Sequence, residues 1–253
     1  MFLYKLIFLL ILLLNKYKLI KQIIKIQKQF LFGILFFIFS DCINNNLIGA
    51  KGSSDLGSAL SMCINLQDLE IFLFSSNIND IGAYGLIYGL VNCINLSILS
   101  LSLQGNQIGN QGASDIGFAL VKLPNLQNLK LGLHDNQIGA EGALNLISGL
   151  TKCISLKYLK LHLFCNQIGG FNISDLENTF IKLNRISMLI LTLDNNQIEQ
   201  HEAQSICFTL SKIDQLNYLD FSIFKNNISK AVEGKLYAKI LKMKRLVKQY
   251  FSI

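Results

Sequence analysis

From Leu96 to Gly109 the chain reads LSILSLSLQGNQIG, apolar at every second position from Leu99 to Leu103 and then interrupted at Asn106 and Gly109. Alternation of this kind predicts a strand with one buried face, closed by a turn. The residues that follow change period. Ile116, Ala119 and Leu120 recur at helical spacing, while Asp115, Phe118 and Lys122 point elsewhere. A second strand pattern then begins at Leu126, with Leu129, Leu131 and Leu133 inward and Asn128, Lys130, Gly132 and His134 outward. One strand and one helix therefore make a unit, and the unit returns. Its Ile falls at 48, 78, 108, 138, 168, 198 and 228, thirty residues apart each time and without an insertion. The Asn two places earlier is Asn46, Asn106, Asn136, Asn166, Asn196 and Asn226, with Ser76 the one exception.

A fixed period of a few tens of residues marks a solenoid, in which each unit buries its apolar face only against its neighbours. The expected fold class is α/β: a curved sheet of parallel strands on the concave face, helices on the convex face. The recurrent Asn is expected to bond the backbone of the neighbouring coil and build a structural ladder of satisfied amides. The pattern LxxLxLxLxxNxIG resembles that of leucine-rich repeat proteins of the ribonuclease-inhibitor-like type, whose unit carries LxxLxLxxNxL, a Gly and a second apolar run. The resemblance covers residues 46–225 fully and 226–253 in decayed form. An extra apolar position at Leu103, Leu133, Leu163 and Leu193 departs from the family and is expected to lengthen or bulge the strand. The resemblance implies a protein-binding scaffold, with regulation of a GTPase or a kinase as the alternative. Such repeats are also similar to those annexed to protein kinase domains. The kinase Gly-rich loop, strand Lys, HRD and DFG are absent here.

The ends depart from the unit. Residues 1–15 are almost wholly apolar apart from Lys5 and Asn15, an anchor or an extra strand-like unit in frame with the repeat. They lack a small-residue cleavage site, and the fourteen residues before Asn15 are short for a helix crossing a core about 30 Å thick. Residues 16–45 read as a degenerate capping unit: Lys18, Lys21, Lys25 and Lys28 share one helical face, and Phe36, Phe39 and Ile43 take inward positions. The same amphipathic stretch suits a membrane surface, so residues 1–29 carry an alternative reading as a membrane-anchored recognition module. Between them lie six regular units, 46–225. Residues 226–253 put Gln249 where a strand Leu belongs and read as a basic cap or truncated repeat ending in a Lys-rich helix. The second turn Gly, at 52, 82, 112 and 142, becomes Asn172 and Glu202, so coils from 166 onward are expected to be looser.

Charge and cysteine usage narrow the class. The net charge of +7 sits at the ends: six Lys and no acid in 1–40, and seven basic residues against Glu233 in 230–253. The middle, 41–229, holds ten basic and fifteen acidic residues, a balance of −5 that argues against a nucleic-acid partner along the repeats. Cys63, Cys93 and Cys153 share one repeat position that Leu123, Leu183 and Ile213 fill elsewhere, the mark of a buried apolar site rather than a disulfide set. Core thiols without a pairing pattern fit a reducing compartment, so the expected location is cytoplasmic, with membrane association as the alternative.

No catalytic, cofactor-binding or metal-binding signature is legible, and no small-molecule substrate is expected. Phosphate loops, dinucleotide fingerprints, CxxC and HxxxH pairs and nucleophile elbows are missing from the sequence. His134, Asp135, His162 and Cys165 share no fixed ligand spacing. Arg185 and Arg245 lie off the concave strand positions, which weakens a GTPase-activating role. What the outward strand positions do carry is aromatic and imidazole surface: Phe74, His134, Tyr158, His162, Phe164, Tyr218 and Phe224. Exposed aromatics on a sheet are the anchors a protein interface uses, so these residues are the candidate binding positions.

Overall fold

The structure, a computed structural model, describes residues 38–39, 48–241 and 248–252. Eight strands form one sheet: β1 (Ile38–Phe39), β2 (Asp68–Phe72), β3 (Ile98–Ser102), β4 (Asn128–Gly132), β5 (Tyr158–His162), β6 (Met188–Thr192), β7 (Tyr218–Ser222) and β8 (Lys248–Ser252). Every neighbouring pair is parallel, and the strands stand in chain order. From β2 to β8 each residue faces the one thirty positions on, as Leu99 faces Leu129. Between β1 and β2 the offset is 32, with Phe39 opposite Ile71 where the repeat frame would pair it with Leu69. A slip of two residues keeps the alternation of faces, which a slip of one would invert. The expectations for residues 1–37, and Asn46 and Cys42 with them, lie outside the described residues.

Among the described residues seven helices return the chain: α1 (Gly49–Leu60), α2 (Asn79–Leu90), α3 (Asn110–Leu120), α4 (Ala140–Thr151), α5 (Ile173–Phe180), α6 (Gln200–Leu210) and α7 (Lys230–Leu241). The fold is a leucine-rich repeat solenoid. Its core is a strip between sheet and helices, filled by Leu99, Leu101 and Leu103 and their counterparts from β2 to β7, all essentially inaccessible to solvent. The extra apolar position introduces no bulge. The Leu103 N–H donates to the Gly132 carbonyl at 2.8 Å, and Gly105 to His134 at 3.2 Å, so the straight pairing simply runs on past the strand.

On the convex side, α1 meets α2 and α3 meets α4 through backbone. A Cβ added to Gly89 would lie 2.0 Å from the Gly57 carbonyl oxygen, and one on Gly149 would lie 2.4 Å from that of Gly117. The frame alternates to allow this: Gly57 and Gly117 against Ile87 and Ile147, Ala59 and Ala119 against Gly89 and Gly149. In α5 and α6 the corresponding residues are Glu177, Cys207, Thr179 and Thr209, and that close approach is gone.

Three sequence expectations change. α5 starts three residues later than the frame of α3 and α4 and holds only eight residues before a 3-10 turn at Ile181–Leu183: Asn172 caps it, whereas Gly52, Gly82, Gly112 and Gly142, expected as turn residues, lie inside α1 to α4. The Asn172 side chain accepts from the Asp175 N–H at 3.2 Å. The last unit does not end as a helix: after α7 the chain adds β8, in frame with β7, because ladder bonds need backbone partners and not a Leu at 249. Cys93, Cys153 and Cys207 are buried, but Cys63 only packs against the edge of the core and is partly exposed. Burial pushes the thiols of Cys93 and Cys207 up to about 12 and that of Cys153 to about 11.

Candidate binding face

The Asn residues fix the turn that follows each strand. Asn136 Oδ1 accepts from the backbone N–H groups of Asn106 (3.0 Å) and Ile108 (2.9 Å) in the preceding coil. Its Nδ2 donates to the carbonyls of Leu103 and Leu133, each at 3.0 Å. Asn106, Asn166, Asn196 and Asn226 repeat the arrangement, each reaching back one coil. At the N-terminal end Ser76 takes the Asn position; it is buried, and its hydroxyl donates to the Phe74 carbonyl at 3.0 Å. A second set of cross-coil bonds is only partly in frame: Asp80 and Asn110 share one repeat position, and Glu202 does not. Asp80 accepts from Gly109 N–H at 2.6 Å, Asn110 from Gly139 N–H at 2.7 Å, and buried Glu202 from Gly170 and Phe171 N–H. These acceptors satisfy the exposed donors of helix starts.

With the frame fixed, outward side chains fall into rows across the sheet. Tyr158, Met188 and Tyr218 form the row at the strand starts, Lys160, Ile190 and Asp220 the next, and His162, Thr192 and Ser222 the third. A fourth row lies just past the strand ends: Phe74, Gln104, His134, Phe164, Asp194 and Phe224. The seven candidate residues therefore divide between two edges of the face. His134, His162 and Phe164 come together: the His134 and Phe164 rings stack at 4.0 Å and 17°, and His162 meets them edge-on at 6.3 and 6.2 Å. Phe224 lies two coils further along the same row, Phe74 three coils before Phe164, and Tyr158 and Tyr218 sit at the opposite edge.

The cluster is half-buried, and burial biases both imidazoles toward the neutral form. Burial, with the neighbouring Lys160 ammonium and His134, lowers the His162 imidazole to about 4, and burial lowers His134 against the partial opposition of Asp135. His162 Nδ1 lies 2.9 Å from Thr192 Oγ1. At the other edge burial, with Tyr218 nearby, raises the Tyr158 phenol, and burial raises Asp220 against the pull of Lys160. Asp194 lies in the same outer row, at a position where the sequence offers no aromatic or imidazole ring to mark it. Its Oδ1 accepts from both the Ser222 hydroxyl and the Phe224 N–H, holding the rim of β7 to that of β6. Among the described residues no group of three or more His, Cys, Asp or Glu side chains is placed to hold a metal ion. No helix among them is long and apolar enough to cross a membrane.

Fold and face together define a repeat protein with one continuous, side-chain-varied surface. No family model and no curated protein matches the chain. Among solved structures it is similar to leiomodin-1 actin-binding site 2, at 15% identity over 63% of this chain and 88% of that one, with a TM-score of 0.45. It is also similar to the C-terminal domain of a Caenorhabditis elegans tropomodulin (12% identity, 74% and 92% covered, TM-score 0.41). A third likeness is to a Listeria monocytogenes internalin, at 18% identity over 77% and 69% of the two chains, with a TM-score of 0.29.

Proposed function

We propose that this protein is a non-catalytic scaffold of the ribonuclease-inhibitor-like repeat type that binds a protein partner on its concave face. The observation that carries the reading is the contrast between frame and face. The inward positions repeat Leu and Ile from coil to coil, while the outward positions of the same strands form a non-repeating mosaic with stacked His134 and Phe164 along one edge. A surface of half-exposed rings held on a rigid sheet loses little conformational entropy on binding, which is what an interface anchor requires. Tyr158→Ala with Phe164→Ala tests it. Both side chains lie off the core, so the variant should fold, and a captured partner should lose about 1–3 kcal/mol per anchor. Partners recovered at undiminished strength would dismiss the concave face.

One observation favours a second reading. On the convex side Ile81, Tyr84, Tyr88 and Phe118 are exposed on α2 and α3, with Ile81 at 71% and the two Tyr rings stacked at 5.3 Å. Contiguous apolar surface of this kind also marks an interaction site. Tyr88→Ser with Phe118→Ser removes it without touching the sheet, and loss of the partner in that variant alone would move the interface to the helices.

A further inference from the structure

Asp194 stands between two aromatic rings at the rim of the face. It lines one shallow cavity of about 340 Å³ together with Phe164, Ser222, Phe224 and Lys225. Oδ1 is engaged by the Ser222 hydroxyl and the Phe224 N–H, which fixes the carboxylate, while Oδ2 has no hydrogen-bond partner among the described residues. No cation of the described residues lies within ion-pair distance of it either. Phe164 gives one face to the His134 ring, so its other face turns along the row toward Asp194. Strand spacing puts the backbones carrying Phe164 and Phe224 about 10 Å apart across Asp194, room for one planar group between them. Lys225 shows that the Phe224 ring accepts a cation, its Nζ lying 5.8 Å from the ring centroid.

We infer that the slot of Phe164, Asp194 and Phe224 receives an arginine side chain of the partner protein, an inference that rests on the concave-face reading. A guanidinium is planar and stacks on aromatic faces, its N–H fork matches a carboxylate edge, and it sheds water more readily than an ammonium. The opposed charge also favours a cation over any neutral planar group, because a fixed and unpaired carboxylate is left without compensation when a neutral ligand covers it.

The test uses the full chain and the peptide Ac-Gly-Arg-Gly-amide, with its citrulline counterpart as a neutral isostere, followed by NMR titration. The arginine peptide should bind at least about fivefold more tightly than the citrulline one, with shifts centred on residues 164, 194 and 224. Asp194→Asn keeps an oxygen for Ser222 and Phe224 N–H and should weaken arginine binding about tenfold, as should Phe224→Ala. Lys225→Ala, which removes the resident cation, should leave binding equal or tighter. Equal binding of the two peptides, or an unaffected Asp194→Asn, overturns the slot. Partner capture separates the two levels. If Asp194→Asn retains the partner while the Tyr158 and Phe164 variant loses it, the slot is wrong and the face stands; if neither loses it, the face itself is wrong.

Discussion

At the scale of single residues, the Asn ladder and the histidines show what burial demands of a polar group. Asn136 joins backbone groups of two coils, so Asn136→Leu strands the N–H groups of Asn106 and Ile108 and the Leu103 carbonyl together. An unsatisfied buried group costs about 1–3 kcal/mol, and turn relaxation shares the loss, so a decrease of about that size in denaturant stability is expected. A variant as stable as the parent would mean that water or a rearranged turn replaces the amide. His162 gives a pH dependence with a definite sign. Its proton is held at about 4 in the fold against 6.5 in the unfolded chain. Between those values the unfolded chain binds more protons, so stability falls as pH drops from 6.5 toward 4 and is unaffected by this group above 6.5. Urea midpoints measured from pH 7 to 4.5 should fall more steeply for the parent than for His162→Gln. Parallel curves would mean that the ring is as free to protonate in the fold as in the unfolded chain.

At the scale of elements, the sequence specified what its frame repeats and little else. Leu129, Leu131 and Leu133 dictate which face of a strand is buried, and a thirty-residue period leaves one register for each strand from β2 to β7, so sheet and core were legible. β8 was not, because its register comes from the edge of β7 while Gln249 breaks the Leu pattern. The late start of α5 was foreshadowed by Asn172 replacing Gly, but the length of the delay depends on Asn172 reaching Asp175 N–H. The candidate site was legible only as a set of outward positions. Meeting of His134, His162 and Phe164 depends on ring orientations across two strands, which no in-frame pattern encodes. Asp194 escaped notice for the same reason. Its partners, Ser222 and Phe224 N–H, are near thirty residues away and have no equivalents in other coils.

At the scale of the whole molecule, a solenoid is as stable in each part as its local coil interfaces make it. The interfaces here are unequal. α1, α2 and α4 each bury six residues and α3 buries seven, with backbone contact at the Gly89 and Gly149 crossings, whereas α5 buries only Leu176 and Phe180. The same coil carries β6 and Asp194, so the candidate binding rim is backed by the thinnest part of the convex layer. Local opening follows buried apolar contact, and segments with little of it open below the global unfolding free energy. Native-state hydrogen exchange should therefore find the amides of α5 exchanging well before those of α3 and α4, while the β5–β6 ladder, held by Asn196 and by the pairing of Leu163 with Thr192, exchanges late. If α5 and α3 exchange together at one common rate, the array opens only as a single unit, and the inequality of its interfaces is too small to divide it.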